Sequence, residues 1–168
     1  MKEITALATR SVVYKRNEFL KLEGSIDTHI YHIISGSLRV YIRHEDQEQI
    51  LRLGYAGNLI VSLDSFFKEE PSSLIIQAIK KTEVQIIPKS RVSAFICEEE
   101  KKLFWIQLME DLIIQQYERE IDLLTSSPKE RYAKVLRRSP QLFQEVPHKH
   151  IANYLRMSPE TLSRLKKS

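Results

Sequence analysis

Cysteine is nearly absent: the chain of 168 residues has one, Cys97. A single thiol cannot form an internal disulfide, a four-thiolate zinc site or its own iron–sulfur cluster, so the chain reads as intracellular and cytoplasmic. Glycine is scarce as well, with 4 in all, too few for a Gly-rich nucleotide loop plus a set of tight turns. No apolar run approaches the ~18–20 residues of a spanning helix, and no membrane is expected as a partner. The opening Met1-Lys2-Glu3-Ile4-Thr5 lacks a long apolar core, so a secretory signal is not expected.

Convergent catalytic chemistry is missing too. No Ser/His/Asp or Cys/His arrangement emerges, and no catalytic residue is assigned. His29 and His32 are three apart, which on a strand puts them on opposite faces. His148 and His150 are two apart, which on a helix separates them by about 200°. No metal and no cofactor is expected, and Cys97, between Ile96 and Glu98, reads as a packing residue without a second cysteine to resolve it.

What is present is uneven. Residues 1–124 hold 16 Lys/Arg and 19 Asp/Glu, a net −3, whereas residues 125–168 hold 10 Lys/Arg and 3 Asp/Glu, a net +7. A short basic piece on an acidic body suits a polyanion-binding module attached to something else. A basic solvated tail would share this composition but not helix caps and an apolar face.

The first ~90 residues carry β patterns. Runs at 11–14, 18–22 and 28–34 are rich in β-branched and aromatic residues. Leu38, Val40 and Ile42 alternate with Arg39, Tyr41 and Arg43, the period of a half-buried strand. His44-Glu45-Asp46-Gln47-Glu48 reads as a hairpin turn. Ile50, Leu51 and Leu53 begin the return strand, ended by Gly54 and Gly57. Leu74–Ile79 and Thr82–Ile87 read as another pair, stopped by Pro88. Short strands at such spacing suggest a small barrel or sandwich with jelly-roll closure.

From residue 89 the period lengthens. Val92, Phe95 and Ile96 fit a short helix, and 98–124 then runs without Gly or Pro, with Glu98-Glu99-Glu100 where the helix dipole favours anions. Ile106, Met109, Ile113, Tyr117, Ile121 and Leu124 form one stripe; Trp105, Leu108 and Leu112 form a second beside it. Two stripes suit two partners, one of them the same helix of a second subunit, which makes a homodimer the expectation; a single broad core face is the other reading.

Ser126-Ser127-Pro128 marks a boundary, with caps followed by a proline in the first turn. A basic amphipathic helix follows over 129–138 with Tyr132, Val135 and Leu136 inward, then a short helix from Ser139-Pro140 carrying Leu142 and Phe143. Pro147 opens a helix with Ile151, Ala152 and Leu155 on one face, stopping near Arg156-Met157. Ser158-Pro159-Glu160-Thr161 restarts one, with Ser158 as N-cap, Pro159 at N1, and Leu162 and Leu165 apolar. Two short helices joined by a three- or four-residue turn form the helix-turn-helix pattern, and with the +7 charge they point to double-stranded DNA. The candidate DNA-binding residues are His148, Lys149, Ser158, Glu160, Thr161, Ser163, Arg164, Lys166 and Lys167. Arg can bind guanine O6/N7 with two bonds and a carboxylate can accept from cytosine N4. Glu160 and Arg164, four apart, could equally form an intrahelical ion pair.

The segment from Val146 through Leu155, followed by Ser158 through Arg164, resembles the DNA-binding end of Crp/Fnr-type bacterial regulators, closest to the branch common in Bacteroidetes. Phe19-Leu20-Lys21-Leu22-Glu23-Gly24 and Ile34-Ser35-Gly36-Ser37-Leu38-Arg39 resemble early strands of the cyclic-nucleotide-binding barrel. Leu63 through Ser72 resembles that branch's phosphate-cassette region, and Lys129-Glu130-Arg131-Tyr132 its first DNA-domain helix. The resemblance implies an α+β chain in three parts: a double-stranded β-helix (jelly-roll) sensor barrel at 1–97, a dimerisation helix at 98–124, and a helix-turn-helix domain at 125–168.

Three departures from the family stand out. Where nucleotide-binding members carry a Glu for the ribose and an Arg for the cyclic phosphate, this chain has about Ser62 and Ser72 or Ser73. The turn position usually held by Gly is Arg156. The chain ends four residues after Arg164, so the domain is expected to lack a full wing. The implied effector pocket comprises Asn58, Ser62, Ser72 and Ser73, for an unidentified small molecule other than cyclic AMP. Three function classes are therefore weighed: a transcription regulator, a small-ligand-binding module with a degenerate DNA-binding domain, and a cupin-type enzyme, which the lack of convergent metal ligands disfavours.

Overall fold

A computed structural model of the chain describes residues 2–45 and 47–167. Asp46, at the tip of the expected hairpin turn, lies outside the described residues. The backbone divides into two compact units, residues 1–92 and 93–168.

The first unit contains α1 (Lys2–Thr5), β1 (Arg10–Tyr14), β2 (Phe19–Lys21), β3 (His29–Ser35), β4 (Ser37–His44), β5 (Gln47–Tyr55), β6 (Leu59–Val61), α2 (Leu63–Lys68), β7 (Ile75–Ala78) and β8 (Thr82–Pro88). The strands form two four-stranded antiparallel sheets, ordered β1-β8-β3-β6 and β2-β7-β4-β5. This is the eight-strand jelly-roll arrangement. Alternate residues of the facing strands meet between the sheets: Tyr31 and Ile33, Leu38 and Val40, Ile76 and Ala78, Val84 and Ile86, with Ile60 closing the cluster. Truncating any of these would remove apolar burial and leave a cavity.

The alternation at 38–43 is β4, paired with β5 from Ser37↔Tyr55 to His44↔Gln47. The return strand starts at Gln47, earlier than its apolar residues indicate, and passes through Gly54. Gly54 is kept small because a Cβ there would lie 2.7 Å from Ile60. Residues 74–79 and 82–87 do not pair with each other. β7 pairs with β2 and β4, and β8 with β1 and β3, so the short link between them crosses from one sheet to the other. Adjacency in sequence suggests a hairpin, but jelly-roll closure sends these consecutive strands to opposite sheets. β6 and α2 carry too few residues to show a period, and neither is apparent from the pattern alone.

Gly36 sits where β3 turns into β4, at φ +91°. A Cβ there would stand 2.4 Å from Thr82 Oγ1 and 2.5 Å from the Lys81 carbonyl. The approach lets Thr82 Oγ1 accept the Ser37 N–H at 3.0 Å, tying this turn to the start of β8. Gly36→Ala is therefore expected to destabilise the barrel by about 1–3 kcal/mol from backbone strain alone, with the clash adding to it. Urea denaturation of the variant measures this; an unchanged midpoint would contradict it.

The second unit holds the end of α3 (Lys89–Phe95), then α4 (Glu99–Leu124), α5 (Pro128–Arg138), α6 (Leu142–Glu145), α7 (His148–Tyr154) and α8 (Pro159–Lys167). α4 runs 26 residues, about 39 Å at 1.5 Å per residue. Ser127 caps α5, its Oγ accepting the Glu130 N–H at 3.3 Å, with Pro128 in the first turn. Val135, Leu142, Val146, Ile151, Ala152, Leu155 and Leu162 are buried and form the apolar interior of α5–α8. Tyr132 meets Phe143 edge-on, ring centroids 5.3 Å apart. Cys97 is exposed and its Sγ donates to the Ser93 carbonyl at 3.3 Å, so it is not the packing residue its neighbours suggest. Phe95 supplies the packing at this point instead, edge-on to Phe104 at 6.0 Å.

Candidate functional site

The pocket and DNA-contact residues expected from the sequence fall mainly around α2 in the barrel and on the α7–α8 pair.

In the barrel, Ser62 and Ser72 are brought together. Both are buried, with their hydroxyl oxygens 3.2 Å apart. Ser62 Oγ also lies 2.9 Å from Asp64 Oδ1, and Ser72 Oγ accepts the Leu74 N–H at 3.0 Å. Partial burial disfavours the Asp64 carboxylate, yet hydrogen bonds from Ser72, the Ser65 backbone and Ser62 outweigh it and hold its pKa below the ordinary value. Ser65 Oγ accepts the Asp27 N–H at 2.8 Å and donates to the Glu70 carbonyl at 2.9 Å. Asn58 is half-buried and shapes the β5–β6 turn, its Oδ1 accepting the Tyr55 N–H at 3.1 Å. Ser73 is exposed.

Sequence reasoning misses the cation of this region. Lys21 is 3% exposed, and its ammonium donates to the carbonyls of Leu22, Ser72 and Leu74 at 3.0, 3.1 and 2.8 Å. Burial lowers its pKa, opposed by the charges of Asp27, Asp64 and Glu23. The available signal is a lysine within the otherwise apolar and aromatic run Phe19-Leu20-Lys21-Leu22. The histidines pair separately: His29 Nδ1 lies 2.8 Å from Asp27 Oδ1, and His32 Nδ1 lies 2.9 Å from Gln85 Oε1. Tyr31 donates to Asp27 Oδ2 at 3.0 Å, and its burial and the Asp27 charge push its pKa far up.

In the second unit, α7 and α8 are joined by a turn through Arg156, at φ +54°. That is the left-handed geometry glycine usually supplies; Arg adopts it here with its N–H donating to Asn153 O at 3.0 Å and the Met157 N–H to Ala152 O at 3.0 Å. Ser158 caps α8, its Oγ accepting the Thr161 N–H at 3.1 Å and lying 3.1 Å from Thr161 Oγ1. Ser158 and half-buried Thr161 thus set the start of the helix. Leu162 is buried beneath, and Glu160, Ser163, Arg164, Lys166 and Lys167 are exposed. The Glu160 carboxylate accepts its own backbone N–H and the Ser158 hydroxyl, which lower its pKa; the charge of Arg164 contributes least. Exposed His148 joins this surface, its Nε2 accepting from Lys166 Nζ at 3.1 Å, and Lys149 is exposed beside it. The structure therefore leaves His148, Lys149, Glu160, Ser163, Arg164, Lys166 and Lys167 exposed on the α7–α8 pair, with Ser158 as the cap and Thr161 half-buried at the helix start.

On α4, Ile113 and Tyr117 are 65% and 61% exposed, and Ile106, Ile121 and Leu124 are exposed with them. Met109 is half-buried, and Leu103 and Ile114 extend the exposed face in its place. Trp105, Leu108 and Leu112 are half-buried. Among the described residues, no helix is long and apolar enough to cross a membrane.

Residues 11–99 match the family model described as cyclic nucleotide-binding domain. No curated protein sequence matches the chain. Among solved structures, FixK2 from Bradyrhizobium japonicum is similar with a TM-score of 0.78 at 19% identity, covering 94% of this chain and 82% of that one. A CRP-family transcriptional regulator from Thermus thermophilus gives 0.68 at 16% identity, over 93% and 82% of the two chains. The catabolite activator protein of the same organism gives 0.59 at 20% identity, over 99% and 80%. At these identities the likeness is one of fold.

Proposed function

The chain belongs to the cyclic nucleotide-binding domain family, and from that premise we propose that it is a cytoplasmic DNA-binding transcription regulator of Crp/Fnr type, acting as a homodimer through α4. The observation that carries this reading is the capped α7–turn–α8 pair, read as a helix-turn-helix, with its exposed basic face. The whole-chain likeness to regulators of that type supports it, as do the +7 charge of residues 125–168 and the motif residues of the branch common in Bacteroidetes. In this reading α8 enters the major groove, with Arg164 and Glu160 toward base edges, while His148, Lys149, Lys166 and Lys167 meet phosphates. Ser158, Thr161 and Ser163 present hydroxyls at the helix start and face.

A two-fold dimer places two such helices about one helical turn apart on DNA. Selection from a random duplex pool is expected to return a two-fold-related motif with half-sites so spaced. A pool that stays unenriched would overturn the reading.

The effector, in this reading, is not 3′,5′-cyclic AMP. The Ser62 and Ser72 hydroxyls take each other and Asp64, and the Lys21 ammonium is held by three carbonyls. Each missing charge-assisted bond to the ribose or cyclic phosphate costs about 1.5–3 kcal/mol, which weakens affinity by orders of magnitude. Calorimetry is expected to find no micromolar binding of cyclic AMP; a micromolar isotherm would refute this.

A further inference from the structure

The last turns of α4 carry buried charges on the side away from the exposed apolar stripe. At ~100° per residue, Arg119 and Asp122 lie roughly 140–200° around the helix from Tyr117. Arg119 is 6% exposed, with its guanidinium carbon 3.7 Å above the ring centroid of Tyr154 in α7. Asp122 is 1% exposed and accepts from Arg138 at the end of α5; Glu118 lies 3.4 Å from Arg138 Nε. Arg131 of α5, 8% exposed, donates to the Thr125 carbonyl at 2.5 Å and to the Arg156 carbonyl of the α7–α8 turn at 3.3 Å. Only Thr125, Ser126 and Ser127 separate α4 from α5.

Apolar residues of similar size would hold these helices together at less desolvation cost. What a charge cluster adds is direction: a guanidinium stacked on a ring, or bonded to a carboxylate or carbonyl, tolerates few orientations. We propose that Arg119, Asp122, Arg131, Arg138 and Tyr154 form a clasp that fixes the angle of α7–α8 on α4, and so sets which half-site spacing the dimer accepts. This inference rests on the DNA-binding dimer reading. One face of α4 would then join the two subunits while the opposite face aims their reading helices. All five are positioning residues, and none is assigned a contact with DNA.

Two measurements test the clasp. In a Cys97→Ser background, spin labels at Gln116→Cys in α4 and Ser163→Cys in α8 report their separation without DNA, with labelled subunits diluted in unlabelled chain. The intact clasp is expected to give a single narrow distance distribution, and Arg119→Met with Asp122→Asn one roughly doubled in width or more. Tyr154→Leu, which removes the stacked ring together with its hydroxyl, should broaden it too, while Tyr154→Phe, which removes the hydroxyl alone, should leave it narrow. Equal widths in folded variants would overturn the proposal.

The second measurement uses the label-free chain and duplexes whose half-sites are moved apart by one and two base pairs, each step turning one half-site about 34° relative to the other. The wild type is expected to lose affinity on the order of 10-fold or more, as its second half-site fails to engage. The Arg119→Met/Asp122→Asn dimer should bind a single half-site within about threefold of wild type and lose its preference among spacings. A preserved spacing preference would contradict the clasp. A chain whose distances broaden on clasp removal, but whose wild type binds no duplex, would instead sink the DNA-binding reading.

Discussion

Ile113→Glu with Tyr117→Glu is expected to convert the protein to a monomer. Both side chains are exposed on α4 in a face with Ile106, Ile121 and Leu124. A contiguous exposed apolar face marks an interaction surface, and the 3–4 residue spacing suits the same helix of a second subunit. Two carboxylates introduced per helix would put four in the seam, where like charges and lost hydration both oppose association. Sedimentation at micromolar concentration should show wild-type dimers and variant monomers. Affinity for a two-half-site duplex should fall on the order of 10²–10⁴-fold, since a second contact is no longer linked to the first. Neither residue belongs to the barrel interior, so its unfolding should be unaffected. A wild type that sediments as a monomer would defeat the dimer reading.

The second large effect is expected at Arg164. It is exposed on α8, and the Glu160 carboxylate one turn earlier is held mainly by its own backbone N–H and Ser158. The guanidinium can therefore turn to a base edge without breaking a strong ion pair. Pro159, at the helix start, offers only apolar contact such as with a thymine methyl. Arg164→Ala should cost about 1–3 kcal/mol at the preferred site and flatten preference at one base pair per half-site. Replacing Lys149, Lys166 or Lys167 should weaken binding to all sequences alike and lower the salt slope by about one per subunit, or about two for the dimer. Site selection with wild type and Arg164→Ala separates the two roles. Identical motifs at reduced affinity would make Arg164 a backbone anchor.

Legibility from the sequence follows the range of the interactions involved. α4 and the starts of α5 and α8 are visible because a 3.6-residue period, caps and prolines act within a few residues: Ser127, Pro128, Ser158 and Pro159 all stand where expected. The jelly roll is visible as a class from alternation and spacing. Which strand pairs with which is not, because β7 and β8 are separated into different sheets by closure of the whole barrel. Buried charges are the other blind spot. Lys21, Arg119, Asp122 and Arg131 are buried against backbone carbonyls, Arg138 and the Tyr154 ring, partners that lie mostly in other elements. The left-handed turn at Arg156 is legible as a position but not as a residue choice, since glycine is the usual residue at such a φ and this chain uses an arginine whose carbonyl receives Arg131.

Duplex binding as a function of salt tests the proposed function most directly. Lys149, Lys166 and Lys167 on each of two subunits would neutralise about six phosphates, giving a slope of log K against log[salt] near −5. Anisotropy titration of the selected duplex should therefore show affinity falling on the order of 10³-fold between 50 and 200 mM salt. Absence of binding at 50 mM, or affinity that does not change with salt, would contradict the assignment of the α7–α8 surface to DNA.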